Sequence, residues 1–122
     1  MHLDSSVLIA ILNSEDKHHR IALENYSSLD QYQISTISIT EVMPSALKAG
    51  TAPRILEILR SLTRAIIDLD AEIALLAAKI RVEAGLKTPD AIISATASRH
   101  QAQLWTFDGK LAKAHKGARL LA

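Results

Sequence analysis

Four carboxylates in the 122-residue chain fall where they could act together. They are Asp4 in "HLDSSVLIAIL", Glu41 in "ISITEVM", Asp90 in "PDAIISATA" and Asp108 in "LWTFDG". The surrounding residues are largely apolar, so we expect these acids to be semi-buried. Carboxylates crowded in a low-dielectric crevice repel one another, and a divalent cation removes that repulsion. With no cysteine and no ordered histidine pattern, hard oxygen ligands indicate Mg²⁺ or Mn²⁺ and not Zn²⁺.

A magnesium site built from acids usually holds phosphate oxygens. One or two such ions can activate a water molecule and neutralise charge on the departing oxygen. Metal-assisted hydrolysis of a phosphodiester is therefore the chemistry that the four acids favour.

Each acid also has an ordinary structural explanation. Asp4 could cap the helix that follows it, and Glu41 could complete a capping box that starts at Ser38. Asp90 could stabilise the positive end of a helix, and Asp108 precedes a glycine in a common turn dipeptide. The local patterns leave these explanations open, but four coincident acids favour a shared site.

The periodicity of the apolar residues predicts how the acids are positioned. Strand-like and helix-like segments follow one another in the order β-α-α-β-α-α-β-α-α-β-α-β, with strands at "MHLD", "QYQISTISI", "AIIDLD", "QLWTFD" and "ARLLA". Strands separated by helices predict an α/β fold with a mostly parallel sheet and helices on both faces. Asp4 and Asp108 then lie at the carboxyl ends of strands, the edge where such sheets bind ligands.

Capping signals set the expected helix boundaries. The third helix is predicted to run from Ser38 to Gly50, which places Glu41 in its first turn. Asp70 and Gly85 should cap the two ends of a long helix. Thr88 should cap the next helix, with Asp90 in the first turn.

Composition limits the class of protein. Residues 1–122 fit one domain, and 48% of them are apolar, nearly all aliphatic. Fourteen basic residues against 13 acidic ones are too balanced to indicate a nucleic-acid binder by bulk charge. The absence of cysteine, of an apolar run of about 18 residues and of a signal-peptide pattern predicts a cytoplasmic location.

The segments around the four acids resemble the PIN domain family, and most closely the small VapC-like ribonuclease toxins of toxin–antitoxin systems. The resemblance is carried by "LDSSVLIAIL", "SITEV", "PDAIISATA" and "LWTFDGKL", in an order and spacing that fit essentially the whole chain. The segment "DAIISATA" is the most specific of them.

This resemblance implies a three-layer α/β/α sandwich and Mg²⁺- or Mn²⁺-dependent cleavage of single-stranded or looped RNA. It also implies a homodimer and inhibition by a cognate antitoxin protein. The metal-binding catalytic acids would be Asp4, Glu41, Asp90 and Asp108. Ser6 and Thr106 match the small hydroxyl positions that often line such a site.

Basic residues near these segments are weaker candidates for RNA contact. Lys110, Lys113, Lys116 and Arg119 follow Asp108 at a spacing of three, and on a short helix they would form a basic stripe, or else a solvated face. Lys87 could reach a scissile phosphate, although a plain loop lysine is the simpler interpretation. His18 and His19 are expected at the surface, and Trp105 in the core.

Two apolar helical segments could serve a partner. "EIALLAAKIRVEAG" and "RILEILRSL" could pack internally or across a dimer, and an apolar groove between early helices could receive an antitoxin segment. Two other functions stay open: a receiver-like Mg²⁺-binding signalling module, and a PIN-like binding partner without nuclease activity.

Overall fold

The computed structural model describes residues 1–122 and contains five strands and seven helices in the predicted order. The strands are β1 (His2–Leu3), β2 (Gln33–Ser35), β3 (Ala65–Ile67), β4 (Leu104–Thr106) and β5 (Arg119–Leu120). The helices are α1 (Ser5–Leu12), α2 (His19–Asn25), α3 (Thr36–Ala49), α4 (Ala52–Leu62), α5 (Ala71–Ala84), α6 (Thr88–Arg99) and α7 (Gly109–Ala114). No helix combines the length and the apolar character needed to cross a membrane.

All the strands pair in parallel, in the order β3-β2-β1-β4-β5. The chain moves outward from β1 to β3 and then returns to place β4 on the other side of β1. The crevice between β1 and β4 is therefore the topological switch point, where open α/β sheets bind their ligands. Receiver-like modules have the different order 2-1-3-4-5, so this topology argues against that alternative.

Adjacent strand residues point to opposite faces of the sheet, and each face has its own apolar cluster. Leu104 packs into a cluster with residues of α5, α6 and α7. Its neighbour Trp105 packs into a second cluster with residues of α1, α3 and α4. The predicted three-layer α/β/α arrangement is thus confirmed, and Trp105 is buried as expected.

The boundary between β2 and α3 differs from the sequence prediction. The strand was expected to continue to Ile39, but Ser35 accepts a hydrogen bond from the Ile37 N–H at 3.1 Å and the helix begins at Thr36. This cap satisfies a backbone donor at the helix start and outweighs the strand preference of the Ile- and Thr-rich segment. Ser38 is consequently a buried helical residue, and the predicted capping box with Glu41 is wrong.

Both predicted caps of α5 are confirmed, whereas the N-cap of α6 lies one residue before its predicted position. Asp70 accepts a hydrogen bond from Ile73 N–H at 2.9 Å, and Gly85 ends the helix with φ +66°, a conformation that favours glycine. In α6 the N-cap is Lys87, one residue before the expected Thr88, and its side chain makes no capping bond. Asp90 still lies in the first turn, as predicted.

Candidate metal centre at the carboxyl edge of the sheet

Asp4 lies at the switch point, directly after the central strand β1. It is the N-cap residue of α1, yet its side chain makes no capping hydrogen bond. Instead, Oδ2 accepts hydrogen bonds from Thr106 Oγ1 at 2.8 Å and from Ser6 Oγ at 2.7 Å, and the residue is only 3% exposed. Helix capping therefore does not account for this carboxylate.

The two hydroxyl groups also hold the segment that follows β4. Thr106 Oγ1 accepts a hydrogen bond from Asp108 N–H at 2.9 Å, and Ser6 Oγ accepts one from Phe107 N–H at 3.1 Å. One connected network thus joins the ends of β1 and β4. Both hydroxyls lie next to Asp4.

Glu41 reaches the same edge from α3. Because that helix begins at Thr36, Glu41 is its sixth residue and lies in the second turn, not in the predicted first turn. Its Oε1 accepts a hydrogen bond from Ser5 Oγ at 2.6 Å, and Ser5 Oγ is also 2.9 Å from Ser38 Oγ. Sequence reasoning missed the contribution of Ser5 and Ser38, although the sequence contains both "DSS" and a serine three positions before Glu41.

Asp90 supplies the clearest electrostatic sign that the acids share one neighbourhood. The pKa of Asp90 is raised to about 6, first by burial and then by the negative charges of Asp4, Asp108 and Glu41, in that order of importance. Lys87 opposes this increase in pKa. The four predicted acids are therefore electrostatically coupled in the folded chain.

Asp108 retains a structural role in this arrangement. It is the N-cap of α7, and its Oδ1 accepts a hydrogen bond from Lys110 N–H at 2.9 Å. One of its oxygen atoms therefore caps a helix, where the sequence suggested a turn with Gly109.

The chemical types of the donor atoms fit a hard divalent cation, although the side chains do not form a coordination shell in this conformation. No three acidic or histidine side chains converge closely enough to hold a metal ion in this conformation. The available donors are carboxylate and hydroxyl oxygens, which suit Mg²⁺ or Mn²⁺. Mutual repulsion of the acids is what such a cation would relieve.

The predicted basic stripe is only partly formed. Lys110 and Lys113 lie on α7, but this helix ends at Ala114, before Lys116. Arg119 belongs to β5, where its guanidinium lies 4.7 Å from the Trp105 ring centroid and donates to Asn25 Oδ1 at 2.6 Å. A continuous stripe of four cations on one helix was therefore a wrong prediction.

The two adjacent histidines were expected at the surface, and the structure makes them partly buried, with ring contacts to other parts of the chain. His19 Nδ1 lies 2.6 Å from the Ala10 carbonyl oxygen. The His18 ring stacks on Phe107, with the ring centroids 4.3 Å apart and the planes within 4° of parallel. No local sequence signal indicates this contact, because it joins residues from distant parts of the chain.

Comparisons with known proteins agree with this architecture. The model of the PIN domain family matches residues 1–117. A chain of a toxin–antitoxin complex from Klebsiella pneumoniae is 34% identical, with a TM-score of 0.80 and coverage of 97% of this chain and 94% of the other. The chain therefore belongs to the PIN domain family, and its sequence is similar to that of a protein in a toxin–antitoxin complex.

More distant structures share the fold. The FitAcB structure from Neisseria gonorrhoeae is 23% identical, with a TM-score of 0.73 and coverage of 96% of this chain and 94% of that one. A VapC toxin from Mycobacterium tuberculosis that cleaves the sarcin–ricin loop is 20% identical, with a TM-score of 0.80 and coverage of 98% and 96%. A search of curated protein sequences finds no match.

Proposed function

We propose that the protein is a metal-dependent endoribonuclease that acts as the toxin of a toxin–antitoxin pair. The observation that carries this proposal is the electrostatic coupling of Asp90 to Asp4, Asp108 and Glu41 beside the switch point. Membership of the PIN domain family and the similarity to a chain of a toxin–antitoxin complex support it.

The four acids would hold Mg²⁺ or Mn²⁺. Such an ion would supply an activated water molecule and stabilise the leaving oxygen, so that RNA is cut to a 3′-hydroxyl and a 5′-phosphate. Ser6 and Thr106 fix the orientation of the Asp4 carboxylate, and Ser5 fixes that of Glu41. Lys87 and the two lysines of α7, Lys110 and Lys113, provide positive charge for contact with the RNA backbone.

RNA cleavage by the purified protein tests this function. We expect cleavage that requires added Mg²⁺ or Mn²⁺, stops with a chelator and is lost in Asp4→Asn and Asp90→Asn, because each substitution removes one ligand carboxylate. Asp68→Asn is the matched control, since Asp68 is an exposed acid after β3. Thermal unfolding of each variant verifies that the fold is intact.

Two results would overturn the proposal. Full activity of Asp90→Asn, in preparations free of contaminating nuclease, would remove the assignment of the site. Metal binding without cleavage of any single-stranded or structured RNA would favour the alternative of a PIN-like binding partner. The observation that favours this alternative is that no three acids converge to form a metal site in this conformation.

The partner proposed for the toxin is an antitoxin segment that lies in an apolar groove. This groove is formed by α1, α3 and α4 and has a volume of about 360 Å³. Its apolar lining residues are Ile9, Leu12, Val42, Ala46, Ala49 and Ile55. An amphipathic helix could lay its apolar face into such a groove. The toxin–antitoxin complex that contains the Klebsiella pneumoniae relative supports an antitoxin as the partner.

We also propose a homodimer. Leu75 and Val82 are seven residues apart on α5, and therefore on one side of the helix, with 73% and 88% of their surface exposed. The groove of the antitoxin proposal is lined by other helices, so the two surfaces do not compete for the same residues.

A further inference from the structure

Phe107 connects the four-acid site to an aromatic surface that the proposed chemistry does not use. It lies between Thr106, which bonds Asp4, and Asp108. Its backbone N–H is held by Ser6 Oγ, the same atom that donates to Asp4 Oδ2. The position of Phe107 is thus tied directly to the hydrogen-bond network of the acids.

His18 extends this aromatic surface outward. Phe107 packs on the apolar cluster of β1 and β4 on one side, and the His18 ring stacks on it at 4.3 Å. Both side chains remain partly exposed. The imidazole is therefore a partly exposed flat ring, one stacking contact away from the segment that carries Thr106 and Asp108.

The segment that carries His18 is well fixed. The backbone N–H of His18 donates to Asp16 Oδ1 at 2.8 Å, and His19 N–H donates to the Asp16 carbonyl at 3.0 Å. The His19 ring anchors the segment to α1 through the Ala10 carbonyl. Little conformational freedom would be lost if a ligand stacked on the His18 ring.

The other aromatic rings pack mainly against one another. Trp105 and Tyr32 are buried, and Tyr26 stacks on Tyr32. Proteins that bind unpaired nucleotides commonly stack the bases on Phe, Tyr, Trp or His side chains. The pair of His18 and Phe107 is the aromatic surface that adjoins the acids.

We propose that a nucleobase next to the scissile phosphate stacks on His18 and continues the stack that begins at Phe107. Only an unpaired base can splay out onto such a ring, so this contact selects single-stranded or looped RNA. The inference rests on the proposed ribonuclease function and adds a specificity-determining residue to it.

A double-mutant cycle tests the proposed stacking contact between His18 and the nucleobase. It combines variants of the protein with RNAs that lack single bases. The substrate is a short single-stranded RNA with a mapped cleavage position, in which single nucleotides near that position are replaced by abasic ones. The proteins are the wild type, His18→Ala and His18→Phe. His100→Ala is the matched control, because His100 is an exposed histidine at the opposite end of α6 from Asp90.

We expect His18→Ala to raise KM about tenfold, with a smaller effect on kcat, since one base–aromatic stack is lost. His18→Phe should retain a KM near the wild-type value, and His100→Ala should have no effect. One abasic position should raise the wild-type KM by a similar factor and should not raise the KM of His18→Ala further. This non-additivity distinguishes base stacking from a merely structural role for His18.

Independent, additive effects of the variant and the abasic position would overturn the inference, as would an unchanged KM in His18→Ala. Either result leaves the nuclease itself standing, because the wild type still cleaves. If the wild type does not cleave, Kd is measured by fluorescence anisotropy in EDTA for the same proteins, with RNAs in which each nucleotide in turn is abasic. Additive Kd changes, or no RNA binding, overturn the stacking contact, whereas non-additive Kd changes support it.

Discussion

At the scale of single residues, His2 is a buried polar group without a partner. It lies on the central strand with no exposed surface, and neither ring nitrogen makes a hydrogen bond. Burial is the main cause that lowers the pKa of His2 to about 3, so the ring is neutral at pH 7. An unpaired polar group in the core reduces the free energy of unfolding.

We expect His2→Leu to raise the free energy of unfolding by about 1–3 kcal/mol at pH 7, because a side chain of similar size replaces the unsatisfied ring. Chemical denaturation measures this difference. The control is His100→Leu, an exposed substitution for which we expect a change within about 0.5 kcal/mol. A less stable His2→Leu protein would show that the imidazole is satisfied in solution.

At the scale of elements, α6 and α7 are joined by a buried hydrogen bond. Ser94 Oγ of α6 lies 2.7 Å from Nδ1 of His115, the C-cap residue of α7. Asp90 lies in the first turn of α6 and Asp108 is the N-cap of α7, so this contact helps to fix the relative positions of two proposed ligands. Burial lowers the pKa of His115.

This lowered pKa has a consequence for stability in acid. Below the ordinary histidine pKa of about 6.5, the unfolded chain protonates His115 more readily than the folded chain does. We therefore expect His115→Gln, which cannot titrate, to lose less stability than the wild type between pH 7 and pH 5. Urea denaturation across this range measures both slopes, and equal slopes would contradict the expectation.

Local sequence signals predicted most of the helices and strands. The predictions fail where contacts with other parts of the chain determine the secondary structure. Asp70 and Gly85 define the ends of α5 by short-range hydrogen bonding and backbone conformation, which a sequence displays directly. The start of α3 was misplaced because Thr36 and Ile37 suit a strand equally well. The choice in favour of helix depends on Ser35 as a cap at the end of a paired strand.

In the candidate site, too, some features follow from local sequence signals and others depend on tertiary packing. Strand-end acids such as Asp4 and Asp108 were predictable because parallel strands present their carboxyl ends on one edge. The contact between Ser5 and Glu41 depends on how α1 packs on α3, and that between His18 and Phe107 joins the start of the chain to its end. No periodicity encodes such long-range pairs.

At the scale of the whole molecule, the proposed homodimer can be tested by substitutions on the exposed apolar side of α5. We expect Leu75→Glu combined with Val82→Glu to convert a dimer into a folded monomer, because both side chains are exposed and would place charges in the interface. Sedimentation equilibrium measures the mass. Leu29→Glu is the control, since Leu29 is 93% exposed outside α5. A monomeric wild type, or a double variant that stays dimeric, would contradict this expectation.

The pairing of β1 with β4 also affects when the protein can become active during its synthesis. Thr106 and Asp4 are 102 positions apart, and β4 is the tenth of twelve elements. A growing chain therefore emerges from the ribosome with its central strand open on one side and its first acid unsupported. For the proposed ribonuclease, we expect the nascent polypeptide to be inert towards the translating ribosome and its messenger until β4 has emerged and paired with β1.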